Sequence, residues 1–152
     1  MLFETFLQEL ARAMNFTDLK PDGDGACLVV LKEDDIPLLF EFDDQLVPNT
    51  ILLSAPIETF PSELRAVIYE ALLVGNNFIE ETLSVKPDED LVYLHIRLHP
   101  ASQAPEIQQT LKSFVSNIKE WRQKVETLSN KRASVQKSSI PPPTFKVLPY
   151  KG

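Results

Sequence analysis

The chain has 152 residues, of which 43% are hydrophobic and 24% are charged, a composition that supports one domain with an apolar core. Residues 131–152 hold five basic residues and no acid, so residues 1–130 carry ten bases against 22 acids, a formal charge of −12. This acidic body argues against nucleic acid as a partner, since phosphate binding depends on clustered Lys and Arg. Cys27 is the single cysteine, which excludes an internal disulfide and a cysteine-based metal cluster.

The first half of the chain is predicted to form one helix and three strands. Apolar residues at helical spacing predict an amphipathic helix over about residues 2–15. The lack of a basic start argues against a signal peptide, and no apolar run approaches the length of a membrane span. After the turn residues 21–25, strands are predicted at Ala26–Leu31, Ile36–Asp43 and Thr50–Ala55. Pro56 and Pro61 are expected to bracket a short link.

The segment Ser62–Glu81 is predicted to be a helix with apolar residues on two sides, with Ser62 as its N-cap. A broad stripe is expected to face the core and contains Leu64, Val67, Ile68, Ala71, Leu72, Gly75, Phe78 and Ile79. A narrower stripe of Ala66, Tyr69 and Leu73 lies on the other side, bordered by Asn76. Because one stripe is enough to pack a helix on a sheet, the second predicts burial against another copy of this chain. Scattered surface apolar residues are the alternative.

The second half of the chain is predicted to add two strands, a helix and a tail. Strands are predicted at Thr82–Lys86 and Leu91–Leu98, and Pro105 is expected to open the last helix. Ser, Lys and Pro dominate afterwards, so residues 1–130 are predicted to form the domain and 131–152 a flexible tail. The order α-β-β-β-α-β-β-α predicts an α+β sandwich, an antiparallel sheet with helices packed on it.

Catalytic and metal-binding motifs are not supported by the sequence. His95 and His99 lack the further ligand that a metal site needs, so exposed strand histidines are the preferred interpretation. The acidic clusters 33–35 and 88–90 lack the spacing of a calcium-binding loop and are expected to be solvated turns. Ser54, Ser84 and Ser113 lie in no nucleophile-elbow context, and the four glycines do not support a phosphate-binding loop. The chain is therefore expected to have no cofactor, no metal and no enzymatic activity.

The segment Tyr69–Asn76, with its Tyr, Leu pair and Asn, is similar to the second-helix pattern of the class I type III secretion chaperones, the family of the Tir chaperone. The element order, small size and acidic charge of residues 1–130 resemble the same family. This resemblance implies a homodimer joined largely through the second helix and a neighbouring strand. Carried over by position, its interface residues are Ala66, Tyr69, Leu73 and Asn76, in agreement with the second apolar stripe.

The resemblance also implies a function in the bacterial cytoplasm, where such a chaperone holds the N-terminal segment of secreted effectors extended, soluble and export-competent. Effector contacts are implied at Phe3, Phe6, Leu10, Leu28, Val30, Leu39 and Ile51, with core packing as the alternative for each. The bound segment would add a strand to an exposed sheet edge. The ATPase of the secretion apparatus is left open as a further partner. The competing function is a dimeric regulatory or scaffolding domain of the same fold that binds a folded partner.

Overall fold

The computed structural model describes residues 2–45 and 49–137, with side chains described through Lys131. Its elements are α1 (Leu2–Met14), β1 (Ala26–Leu31), β2 (Ile36–Asp43), β3 (Thr50–Thr59), a 3-10 turn (Ser62–Leu64), α2 (Arg65–Gly75), β4 (Thr82–Lys86), β5 (Leu91–Leu98) and α3 (Ala104–Lys137). This order confirms the predicted α+β class, and the bounds of β1, β2, β4 and β5 agree with the sequence prediction. None of the described helices combines the length and the apolar character needed to cross a membrane.

The five strands form one antiparallel sheet in the order β1-β2-β3-β5-β4. Phe40, Leu53 and Leu94 point to one face of the sheet and are fully buried. Because side chains alternate along a strand, their neighbours in sequence point to the opposite face. On that opposite face Leu28 is 62% exposed and Val30 is 45% exposed. The sheet therefore has an inner face that forms the core and an outer face that is open over β1.

Helices α1 and α3 supply the other half of the core. From α1, Phe6 lies at a tilt to Phe40 of β2, with ring centroids 6.0 Å apart. From α3, Phe114 and Ile118 are fully buried in the same apolar cluster. Burying one such side chain stabilises the fold by about 1.5–3 kcal/mol. Most residues of the apolar stripes that predicted these helices are therefore buried in the core.

Helix α2 is shorter than predicted, since it begins at Arg65 and ends at Gly75 rather than spanning residues 62–81. The predicted N-cap is wrong, because Ser62 lies inside the 3-10 turn and neither helix start has a side-chain cap. At the other end, Asn76 and Asn77 follow Gly75, and both Gly and Asn are poor helix formers. The backbone N–H groups of Asn77 and Phe78 donate to carbonyls three residues back, which tightens the chain into a turn.

Strand β3 is longer than predicted, since it continues through Pro56 to Thr59. The expected link at Pro56 is therefore wrong. Pairing of β3 with β2 ends at Ser54, so at Pro56 the strand has only β5 beside it, opposite Tyr93. A register shift follows between Pro56 and Glu58. Proline lacks an N–H and is tolerated at such edges and bulges, which is why it does not end the strand.

Helix α3 has 34 residues and extends to Lys137, past the predicted domain boundary at residue 130. Residues 131–137 include Lys, Arg, Ala and Gln, which are good helix formers, and the first proline after them is Pro141. The start of the predicted tail is therefore helical. The rest of that tail, residues 138–152, lies outside the described residues.

Candidate binding surfaces

The seven positions at which effector contacts were expected divide into two groups. Phe3, Phe6, Leu10 and Ile51 are between 0% and 5% exposed, so they belong to the core of this chain. Core packing, the alternative for each position, accounts for these four. The aromatic and aliphatic periodicity of α1 did not reveal this, because a stripe that faces the core and one that faces a partner have the same spacing. The remaining three positions, Leu28, Val30 and Leu39, lie on the outer face of the sheet.

An apolar band crosses the outer face at the β1 edge of the sheet. Leu28 lies opposite Leu39, and Val30 lies opposite Pro37, in the antiparallel pairing of β1 with β2. Leu39 and Pro37 are half-buried, whereas Leu28 and Val30 are exposed. Among the described strands, β1 has β2 as its only neighbour, so its other side presents backbone N–H and C=O groups without a strand partner. Apolar side chains and an open edge therefore occur together, which is the arrangement that an added strand requires.

The middle of the outer face holds a polar network around His95 of β5. Its Nδ1 lies 3.0 Å from the Ser54 hydroxyl oxygen, and its Nε2 lies 2.6 Å from the Ser84 hydroxyl oxygen. The ring also stacks on Tyr93, with centroids 5.9 Å apart. Burial, followed by the charge of Arg97, lowers the pKa of His95. The expectation of an exposed histidine is therefore wrong here, because the serines of two flanking strands enclose the ring.

One carboxylate of each acidic turn contacts a helix, whereas the other acids of both clusters are exposed, as expected for solvated turns. Asp34, in the β1–β2 turn, forms an ion pair of 2.9 Å with Lys119 of α3. Asp90, in the β4–β5 turn, accepts two hydrogen bonds from the Arg65 guanidinium, at 2.7 and 3.1 Å. This contact raises the pKa of Arg65 and links the start of α2 to the sheet. Within residues 2–45 and 49–137, no group of three or more His, Cys, Asp or Glu side chains is placed to hold a metal ion.

The narrow stripe of α2 is exposed at three of its four predicted interface positions. Ala66 is exposed, Tyr69 is 37% exposed and Leu73 is 72% exposed. The fourth position, Asn76, is engaged within its own chain. Its Oδ1 accepts from the Leu83 N–H at 2.7 Å, and its Nδ2 donates to the Leu83 carbonyl at 3.2 Å. Asn76 therefore joins the end of α2 to β4, a structural contact that its place in a helical pattern did not reveal.

Two exposed apolar residues near the end of α2 were missed as surface positions. Phe78 was assigned to the core-facing stripe, but α2 ends before it and the side chain is 79% exposed. Val74 is 53% exposed. Both line a groove of about 520 Å³ between α2 and α3, together with Trp121 and Leu128. The pair Asn76-Asn77 was the available signal, because two poor helix formers after a glycine predict that a helix stops there.

The sequence matches the model of the Tir chaperone protein (CesT) family over residues 5–122. That range begins in α1 and reaches the middle of α3, so it includes every strand of the sheet. No curated protein sequence matches this chain closely enough to be reported as a relative.

Two solved structures have a similar fold at low sequence identity. The chaperone–effector complex of HopA1 and SchA contains a chain that is 17% identical, with a TM-score of 0.60, and the match covers 82% of this chain and 92% of that one. The complex of ExsC and ExsE contains a chain that is 14% identical, with a TM-score of 0.65, and the match covers 80% of this chain and 92% of that one. At such low sequence identities, these matches show a shared fold and nothing more.

Proposed function

The chain belongs to the Tir chaperone protein (CesT) family of type III secretion chaperones, and from that premise we propose that it holds the N-terminal segment of secreted effector proteins in an extended form. Binding keeps the effector soluble and competent for export. The chaperone acts by binding alone, without a catalytic step, in the bacterial cytoplasm. The apolar band at the open β1 edge is the single observation that carries this proposal.

The β1 edge offers an extended chain two kinds of contact, main-chain hydrogen bonds and apolar side-chain packing. Main-chain groups of the effector segment pair with the free side of β1, and its alternate side chains pack on Leu28, Val30 and Leu39. Ordering a disordered segment costs several kcal/mol of the gross interaction energy, so the segment must cover a large surface to bind tightly. An effector wrapped in this way is unable to fold or aggregate until it is released.

Self-association through α2 is the second part of the proposal. Tyr69, Leu73, Val74 and Phe78 form an exposed apolar surface on and just beyond this helix, and we name it the α2 patch. An isologous interface brings the same patch from both copies together, so one set of residues supplies both halves. Asn76 joins α2 to β4, which lies at the opposite edge of the sheet from β1, so an interface through the α2 patch leaves the effector surface of each copy free. The secretion-apparatus ATPase is a further partner that such a dimer is proposed to meet.

The proposal is tested by capture from the native cytosol on the tagged full-length chain, with mass spectrometry and limited proteolysis of the captured proteins. Effectors retained through their N-terminal segments are expected. Leu28→Asp should abolish that retention, because it puts a charge into the apolar band. The matched variant Leu28→Val keeps an apolar, strand-favouring side chain and should retain the effectors. Recovery of folded cytosolic or apparatus proteins alone would contradict the chaperone function and favour a regulatory or scaffolding domain.

A further inference from the structure

A groove on the helical side of the molecule lies between the end of α1, the β1–β2 turn and the first half of α3. Its volume is about 860 Å³, and its apolar lining includes Met14, Phe16, Leu31, Leu111 and Val115. Phe16 is 41% exposed although it is aromatic. The groove is distinct from the α2 patch.

The lining also has a charge opposite to that of the body as a whole. Lys32 extends from the hairpin side, while Lys112 and Lys119 lie on α3. The two α3 lysines are seven residues apart and therefore lie on the same side of the helix, about 10 Å from each other. Asp34 neutralises Lys119, but in the part of the chain that the structure describes neither Lys32 nor Lys112 forms an ion pair. With Glu33 as the other acid, the groove is net positive within an acidic domain.

We propose that this groove binds a segment of effector chain in which apolar side chains are flanked by Asp or Glu. The inference rests on the proposed chaperone function and states the chemistry of its cargo. Apolar residues of the segment fill the floor, and its acids meet Lys32 and Lys112 on the two rims. Val30 lines the groove and also belongs to the apolar band. One effector chain can therefore pass from the β1 edge into the groove.

Charge complementarity favours an acidic segment over the chain's own C-terminal residues. Residues 138–152 contain apolar side chains, but their only charged side chains are Lys146 and Lys151. Lys146 and Lys151 therefore carry the same sign of charge as Lys32 and Lys112 in the groove. An acid-flanked segment instead gains favourable contacts there, although the net charge of −7 on the whole chain repels it at long range.

The experiment measures fluorescence anisotropy of two labelled synthetic peptides on the full-length chain. The peptides have one shared Leu- and Ala-containing core, flanked by Glu in the first and by Lys in the second. We expect the Glu-flanked peptide to bind about fivefold tighter at low salt, from two exposed charge contacts, and the preference to fade at high salt. The overall charge of the protein predicts the opposite preference, so the result separates a local site from bulk electrostatics.

Two variants on α3 localise the effect. Lys112→Glu should abolish or invert the preference for the Glu-flanked peptide. Lys131→Glu makes the same charge change about 28 Å further along the helix, and it should leave the preference intact. Equal affinity of the two peptides, no binding of either, or a preference for the Lys-flanked peptide would overturn the inference. An equal response of the two variants would overturn it as well.

A photoreactive residue at Ser116, which lines the groove, identifies other occupants in the free protein. Cross-links to residues 138–152 or to a second copy would overturn the inference, and their absence supports it. Capture of effectors is measured on the same preparation. If effectors are captured without any peptide preference, this inference fails alone. If the preference is found but no effector is captured, the proposed chaperone function fails.

Discussion

Replacement of Leu73 by Asp tests whether α2 joins two copies of the chain. Leu73 is 72% exposed, so most of its apolar surface is still available for burial in an interface. Full burial of a Leu is worth about 1.5–3 kcal/mol, which leaves roughly 1–2 kcal/mol per copy. A twofold interface uses the residue twice. The dimer should therefore lose about 2–4 kcal/mol, which raises the dissociation constant roughly 30- to 1000-fold.

The assay is size-exclusion chromatography with light scattering across a dilution series. The parent chain should elute with twice the protomer mass of 17.2 kDa, and the Leu73→Asp protein should shift to a single protomer. Because the side chain is exposed within one chain, thermal unfolding of the variant protomer should change little. Leu28→Asp is the matched control, since Leu28 is similarly exposed but lies on the sheet. An unchanged dimer mass for Leu73→Asp, or a monomeric parent chain, would refute the reasoning.

Three further predictions concern stability and pH, each measured by urea unfolding. Gly75→Ala should destabilise the fold by about 1–3 kcal/mol, because an added Cβ overlaps the Trp121 ring; a gain in stability would mean that helix propensity outweighs packing. Asn76→Ala should cost about 1–3 kcal/mol, since it leaves the Leu83 N–H and C=O without their side-chain partner, and an unchanged midpoint would contradict this. His95 has a lowered pKa in the folded state, so its contribution to stability is present above about pH 6.5 and is lost as the pH falls through the folded value. The difference in unfolding free energy between about pH 7.5 and 5.5 should therefore be smaller in His95→Gln than in the parent chain, and equal differences would argue against a buried neutral imidazole.

Much of the sheet was predictable from local patterns. The alternation in β2 and β5, and the turn residues between paired strands, predict those strands with the bounds that the structure has. Each such signal depends on residues a few positions apart. Pro56 was misleading because its effect on the strand depends on pairing with a distant part of the chain. Whether a proline ends a strand depends on which side of it has a neighbour. At Pro56 that neighbour is β5, which follows in the chain only after α2 and β4.

The candidate surfaces were harder to predict than the elements that carry them. Spacing identifies which residues share a face of a helix or strand, but it does not say what covers that face. Phe6 and Leu28 are both apolar residues in amphipathic elements, yet the first is fully buried and the second is 62% exposed. The groove beside α3 is even harder to predict from sequence, because its lining residues come from α1, the β1–β2 turn and α3. No local window contains them together.

The sequence by itself determined the α+β class, the order of the elements, the acidic character of the body and the resemblance to secretion chaperones, since all of these depend on composition and short-range periodicity. The tertiary structure decided which apolar residues are buried in the core, where α2 ends, and which polar side chains form hydrogen bonds with residues distant in sequence. The physical reason is that burial and hydrogen bonding join residues far apart in the chain. Asn76 shows this, because its role is set by Leu83 on the neighbouring strand.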